Sequence, residues 1–187
     1  MSSMIVDLGG TRIETTVTRE PSEINRLVMT FLSNDKFGRN KIIGLDTERA
    51  RSFSPKTVLL QLCDGDYCLI IQLSSFNHVK LPLSLYNFLN LPDFTFVGIG
   101  MNKSLKMLES EFGLTCKNAV EIGPPKRSLM TYNMHYLNIT RADIVQNEPA
   151  SPIFGDWGAS VLSENQIILA VSNAYLAFGL GNNMLEY

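Results

Sequence analysis

The stretch that most constrains this chain runs from Lys41 to Glu48 and reads KIIGLDTE. Its apolar residues form a short run of the kind that is typical of a buried strand. Two carboxylates close the stretch, and a strand would point Asp46 and Glu48 to the same face because they are two residues apart. Their mutual repulsion needs a cation, a proton or water to relieve it, and the most specific interpretation is a divalent cation with oxygen ligands. The alternative interpretation is a strand that ends in a polar, solvated tip.

Composition limits the classes of protein to consider. The chain has 187 residues, of which 45% are hydrophobic and 18% are charged, and this predicts a single domain over residues 1–187 with a sizeable core. A net charge of -2 means that nucleic-acid binding would need a local basic patch. Three cysteines, an odd and sparse number, predict reduced thiols in an intracellular protein. We expect that protein to act in the cytoplasm or nucleus. We expect neither a signal peptide nor a membrane span.

The order of predicted elements indicates an α/β domain with a mixed sheet. A hairpin that turns at Gly9-Gly10 precedes a helix beginning at Pro21. The acidic strand forms an antiparallel meander with strands at Thr57–Cys63 and Tyr67–Leu73. Helices and strands then alternate, and the predicted segments are Leu83–Leu89, Phe94–Ile99, Met101–Phe112, Asn118–Ile122, Ser128–Leu137, a loop from Asn138 to Gly155, and a last helix capped by Ser163 that ends near Leu185.

Four segments of the chain resemble the DnaQ-like 3'-5' exonucleases, especially the branch of the Werner-syndrome exonuclease domain and its small plant relatives. The segments are IIGLDTE, VLLQLC, TFVGIGMNKSLKML, and DWG followed by LSENQIILAVSNAY. The resemblance covers nearly the whole chain, and it implies a ribonuclease-H-like mixed sheet, an antiparallel meander followed by parallel strands, flanked by helices. It also implies hydrolysis of nucleic acid from 3' ends, with four carboxylates holding two magnesium or manganese ions.

The resemblance places the active-site positions, and three of them depart from the family pattern. Asp46 and Glu48 match the first two acids, but the third falls at Ser104 and the fourth at Asn173. The tyrosine that orients the attacking water falls at Leu169. Two divalent ions about 4 Å apart repel by roughly 16 kcal/mol at an effective dielectric constant of about 20, and two carboxylates do not neutralise that charge. We therefore expect catalytic positions at Asp46, Glu48, Asn173 and Ser104, one metal ion at Asp46 and Glu48 rather than two, and weak or absent activity.

Basic residues near these positions are candidate contacts to phosphate groups. They are Arg49, Arg51, Lys56, Lys103 and Lys106. The alternative is that they are ordinary solvated charges. Trp157, in the DWG segment, is expected to be a packing anchor rather than a base-stacking platform.

Two functions from different classes remain open. The first is a metal-dependent 3'-5' exonuclease that acts on single-stranded RNA or DNA, weakened by the three departures. The second is a non-catalytic pseudo-exonuclease that serves as a binding, scaffold or regulatory subunit. The small plant relatives look like ring-forming homo-oligomers, so the expected partners also include further copies of the chain or an active relative. Another type of hydrolase ranks lower, because the sequence offers no Ser/His/Asp set, phosphate loop or cysteine nucleophile context.

Overall fold

The computed structural model describes residues 2–35, 41–50, 53–76, 79–122 and 156–185. The strands of this part of the chain are β1 (Ser2–Leu8), β2 (Thr11–Thr18), β3 (Lys41–Arg49), β4 (Thr57–Cys63), β5 (Tyr67–Gln72), β6 (Phe94–Ile99) and β7 (Ala119–Ile122). The helices are α1 (Pro21–Ser33), a short 3-10 helix at Leu73–Phe76, α2 (Leu83–Leu89), α3 (Asn102–Phe112) and α4 (Glu164–Leu185). The helix predicted at Ser128–Leu137 and the loop from Asn138 to Gly155 lie outside the described residues.

The described strands form one mixed sheet in the order β1-β2-β5-β4-β3-β6-β7. The predicted hairpin between β1 and β2 is confirmed, and it turns at Gly9 and Gly10, which have φ values of 66° and 98°. The predicted antiparallel meander of β3, β4 and β5 is confirmed as well. Parallel pairs join β3 to β6, β6 to β7 and β2 to β5. The α/β class with a mixed sheet is therefore as the sequence predicted.

One face of the sheet is covered by α1, α2 and α3 around an aromatic cluster. The ring of Phe88 in α2 lies 5.6 Å from that of Phe31, 5.0 Å from that of Phe94 and 5.4 Å from that of Phe96, measured between centroids. Replacing a buried phenylalanine of this kind by alanine costs about 3–5 kcal/mol. This cluster fixes the strands of the meander, and Leu45 of the acidic strand belongs to it.

The opposite face of the sheet is covered by α4. The helix begins with the predicted capping box, because the N–H of Gln166 donates to Ser163 Oγ at 3.2 Å and the N–H of Ser163 donates to Gln166 Oε1 at 2.9 Å. Further along, α4 lies directly on β3 at Gly44. A Cβ atom at Gly44 would overlap the carbonyl oxygen of Ala174 and lie 2.6 Å from the backbone nitrogen of Phe178. Glycine is thus required for the helix and strand to approach this closely.

No helix in the described ranges is long and apolar enough to cross a membrane.

Candidate active site

The acidic pair lies on the face of β3 that α4 covers. Gly44 contacts α4, and Asp46 and Glu48 follow at the alternating positions that share its face. Asp46 is 9% exposed and Glu48 is half-buried. The registered pairs between β3 and β6 end at Gly44 and Val97, so the two parallel strands no longer pair where the carboxylates stand. The carboxyl ends of neighbouring parallel strands are where α/β sheets bind ligands.

A β-bulge follows the acidic pair. The register between β3 and β4 shifts after Glu48, which lies opposite Leu59, whereas Arg49 lies opposite Thr57. Bulges are common beside active sites, where they redirect a side chain. At this bulge the side chain of Arg49 turns to the start of β4 and to α3.

Arg49 joins three parts of the structure through its guanidinium group. It donates to Thr57 Oγ1 at 3.4 Å and to the carbonyl oxygen of Pro55, and it forms an ion pair with Glu111 Oε1 at 3.4 Å. Glu111 Oε2 also accepts the N–H of Thr57 at 2.8 Å. These contacts hold the carboxyl end of β3 against α3. Since Glu111 compensates much of its charge, Arg49 has a structural role, and its contact with phosphate stays a prediction.

Three of the other candidate phosphate contacts lie in the described residues, and all three are exposed. Lys56 is exposed just before β4, and Lys103 and Lys106 are exposed on α3. Arg51 lies outside the described residues. These exposed lysines are accessible to a nucleic acid. Ordinary solvated lysines would be equally exposed, so the binding role of these three stays a prediction.

The position that resembles the third acid lies in the first turn of α3. Gly100, with a φ of 59°, turns the chain from β6 into this helix, and Ser104 is half-buried there. The N–H of Asn102 donates to Glu121 Oε2 at 2.9 Å. A carboxylate from β7 therefore satisfies the amino end of α3, where the helix dipole favours negative charge.

The remaining two positions lie on α4. Asn173 is half-buried and immediately precedes Ala174, the residue that contacts Gly44 of the acidic strand. Leu169 lies one helical turn earlier and packs, partly buried, against the apolar cluster between α4 and strands β4 and β5. Asn173 thus lies on the helix that covers the acidic pair, next to the contact with β3. Leu169 has an apolar packing role.

Trp157 lies in the apolar cluster beneath the start of α4 and is 7% exposed. Its indole ring is therefore unavailable for stacking on a nucleic-acid base, and the expectation of a packing anchor is confirmed.

One residue of the site was not selected from the sequence. Gln61 on β4 lies directly opposite Asp46 and is 0% exposed. Within the described part of the chain, neither Nε2 nor Oε1 of its side chain has a hydrogen-bond partner. The signal in the sequence is a lone amide inside the apolar segment VLLQLC. Its meaning depends on the register that places it beside Asp46.

The carboxylates of Asp46 and Glu48 are the oxygen donors that a divalent cation would use on this face of β3. In the ranges that the structure describes, no group of three or more His, Cys, Asp or Glu residues is placed to hold a metal. Asp46 and Glu48 are two carboxylates on one face of β3, and Asn173 is a half-buried amide on the helix that covers this face. Magnesium is commonly held by one or two carboxylates and several waters. A pair of ions needs more negative charge than these residues carry.

A model of the 3'-5' exonuclease family matches residues 22–186. The chain therefore belongs to the 3'-5' exonuclease family, and the resemblance to DnaQ-like enzymes is confirmed. A comparison with curated protein sequences found no match.

Solved structures share the fold of this chain at low sequence identity. Escherichia coli RNase D has a TM-score of 0.69 at 17% identity, over 91% of this chain and 44% of RNase D. The catalytic core of RRP6 from Trypanosoma brucei has a TM-score of 0.61 at 14% identity, over 92% of this chain and 46% of that core. The EXD2 exonuclease domain has a TM-score of 0.52 at 21% identity, over 92% of this chain and 89% of that domain. The chain thus spans less than half the length of the RNase D and RRP6 structures.

Proposed function

We propose that this protein binds single-stranded nucleic acid and removes 3'-terminal nucleotides slowly, with one magnesium or manganese ion held by Asp46 and Glu48. The observation that carries the proposal is the position of the two carboxylates on the α4 face of β3, at the end where β3 leaves β6. Family membership supports 3' hydrolysis as the reaction. An EXD2 exonuclease domain that was soaked in manganese and magnesium shares the fold, with a TM-score of 0.51, which is consistent with these cations.

The chain's own residues explain why the activity would be weak. A bound divalent ion would polarise a phosphodiester oxygen and lower the pKa of a bound water. Asp46 and Glu48 would hold that ion, and Asn173 would contribute a neutral oxygen. Leu169 has no polar atom with which to orient a water, and Ser104 supplies no negative charge. Removal of one catalytic group from an active site typically costs about 10²-fold or more in rate.

Family membership and the accessible lysines support nucleic acid as the substrate class. RNase D is an exoribonuclease involved in structured RNA processing. For this chain we propose single-stranded RNA or DNA as the substrate. Lys56, Lys103 and Lys106 are exposed and would contact phosphate groups. A single domain over residues 1–187, acting in the cytoplasm or nucleus, completes the proposal.

The test is degradation of a 5'-labelled single strand of RNA or DNA in the presence of manganese. The wild-type protein should produce a slow ladder that shortens from the 3' end, and Asp46→Ala should abolish it. Asp93→Ala is the matched control, because Asp93 is an exposed carboxylate in the turn before β6. If wild-type protein and Asp46→Ala give the same products, the proposed hydrolysis is wrong.

The alternative is a non-catalytic subunit of an oligomer, formed by copies of this chain or with an active relative. The specific observation in its favour is that Leu169 packs, partly buried, against the apolar cluster beneath α4, which gives this position a packing role in place of a catalytic one. This alternative predicts no ladder at any manganese concentration. It also predicts a mass above that of one 20.9 kDa chain in light scattering after gel filtration.

A further inference from the structure

The buried amide of Gln61 is an unusual feature of the α4 face of the sheet. It is fully buried, and both of its side-chain polar atoms are without a hydrogen-bond partner in the described ranges. Burial of an unpaired amide destabilises a fold, and buried polar groups are almost always satisfied. An apolar residue of similar size would fill this position without an unpaired amide, so the presence of glutamine needs an explanation.

The neighbours of Gln61 point to Asp46 as its partner. Gln61 lies between Asp46 on β3 and Ile70 on β5 in the registered sheet. Directly opposite residues project to the same face with Cβ atoms about 4.5–5.5 Å apart. The next residues on the same face of β4 are Leu59 and Cys63, both fully buried. Among these four neighbours in the sheet, Asp46 is the one with a charged acceptor.

We propose that Gln61 is a positioning residue for the cation site, whose Nε2–H donates to the carboxylate of Asp46 and orients it as a metal ligand. The inference rests on the proposed function, because it needs a cation held by Asp46. Ligating carboxylates are themselves hydrogen-bonded in metal sites, and loss of such a partner typically lowers metal affinity about 10–100-fold. A bound cation would fix the carboxylate and give the buried amide its partner.

Gln72 offers a matched control on the next strand. It is a buried glutamine on the same face, opposite Leu59, and its Nε2 donates to the carbonyl oxygens of Ala159 at 3.1 Å and Ser160 at 3.2 Å. Its amide is therefore satisfied without any contribution from Asp46. Both glutamines are buried on the same face, but the amide of Gln72 has hydrogen-bond partners and the amide of Gln61 has none in the described ranges.

The experiment is calorimetric titration of manganese chloride into the wild-type protein, Gln61→Leu, Gln61→Met and Gln72→Leu, together with the melting temperature of each in the absence of manganese. Both Gln61 variants should bind manganese about 10–100-fold more weakly and melt at or above the wild-type temperature, because an unpaired amide is removed. Gln72→Leu should melt lower and bind manganese as the wild type does.

Three results would overturn the inference. Unchanged manganese affinity in both Gln61 variants, with binding intact in the wild type, would refute the role of Gln61 and leave the cation site standing. A lower melting temperature with the lower affinity would show that Gln61 acts through the fold rather than on Asp46. Absence of manganese binding by the wild-type protein would refute the cation site itself, and the inference with it.

Discussion

The carbonyl oxygen of Ala174 in α4 lies so close to Gly44 in β3 that no Cβ atom would fit between them. This contact sets the position of the last helix over the acidic strand. Asn173 precedes Ala174 on the helix, and Asp46 follows Gly44 by two residues on the same face of the strand. The close backbone contact between Gly44 and Ala174 therefore determines where α4 lies relative to the acidic pair.

Gly44→Ala should destabilise the protein by about 1–3 kcal/mol, because the added methyl group meets backbone atoms that cannot rotate away. Urea denaturation at pH 7 measures the effect. Gly179→Ala, on the helix that contacts Gly44, is the control, since a Cβ atom there would meet no atom within 4 Å beyond its chain neighbours and the backbone of its own helix. It should stabilise the protein by about 0.5–1 kcal/mol, the usual gain when alanine replaces glycine inside a helix. Equal effects of the two substitutions would refute the steric argument.

Introducing carboxylates at the two positions where the resemblance places the third and fourth acids should allow a second ion to bind. The variant with Ser104→Asp and Asn173→Asp should bind two manganese ions, because four carboxylates balance the charge of the pair. Adding Leu169→Tyr should raise the rate of 3' hydrolysis by about 10²-fold or more over the wild type. Calorimetry and a labelled-strand assay provide the readouts. A restored variant that binds one ion and degrades nothing would show that the backbone no longer places these positions around a common centre.

The exposed lysines of α3 should contribute to nucleic-acid affinity through charge alone. Replacing Lys103 and Lys106 by alanine should weaken binding to a single strand for every sequence, and it should reduce the slope of log K against log salt by about 1.4, from about 0.7 per phosphate contact. Fluorescence anisotropy across a series of salt concentrations measures this slope. The double substitution of Lys80 and Lys117, both exposed, removes the same net charge and should leave the slope unchanged. The same reduction in both double variants would indicate a general charge effect.

Burial raises the pKa of the Cys116 thiol to about 12. The folded protein therefore holds this proton more tightly than the unfolded chain, in which the thiol has its ordinary pKa of 9.0. The resulting stabilisation is complete below pH 9.0 and is lost as the pH rises through about 12. Denaturation of the wild type and Cys116→Ala should show a difference in free energy of unfolding that is constant up to pH 8 and shifts against the wild type above pH 9. A difference that is constant up to pH 11 would contradict the raised pKa.

Much of the fold was predictable because its signals are local. The Gly9-Gly10 turn, the Ser163–Gln166 capping box and the apolar run before Asp46 each specify a nearby conformation, and the structure has the predicted element at each of them. The acidic pair was predictable for the same reason, since the spacing of Asp46 and Glu48 places both on one face of a strand.

The rest depends on pairings between distant residues. The ion pair of Arg49 with Glu111 joins residues on β3 and α3, and nothing in the neighbourhood of either residue indicates the other. The parallel pairing of β2 with β5 is likewise a long-range contact. The role we infer for Gln61 became visible only with the register that sets it opposite Asp46, because a lone glutamine in an apolar strand has no local meaning.

We propose that this member of the family holds one divalent cation at Asp46 and Glu48 and lacks the second. Calorimetric titration of manganese into the wild-type protein, beside Asp46→Ala and the Asp93→Ala control, tests it most directly. We predict one weakly bound ion in the wild type and Asp93→Ala, and none in Asp46→Ala. Two tightly bound ions that are lost in Asp46→Ala would refute the one-ion site, since other groups would then have to supply the missing ligands.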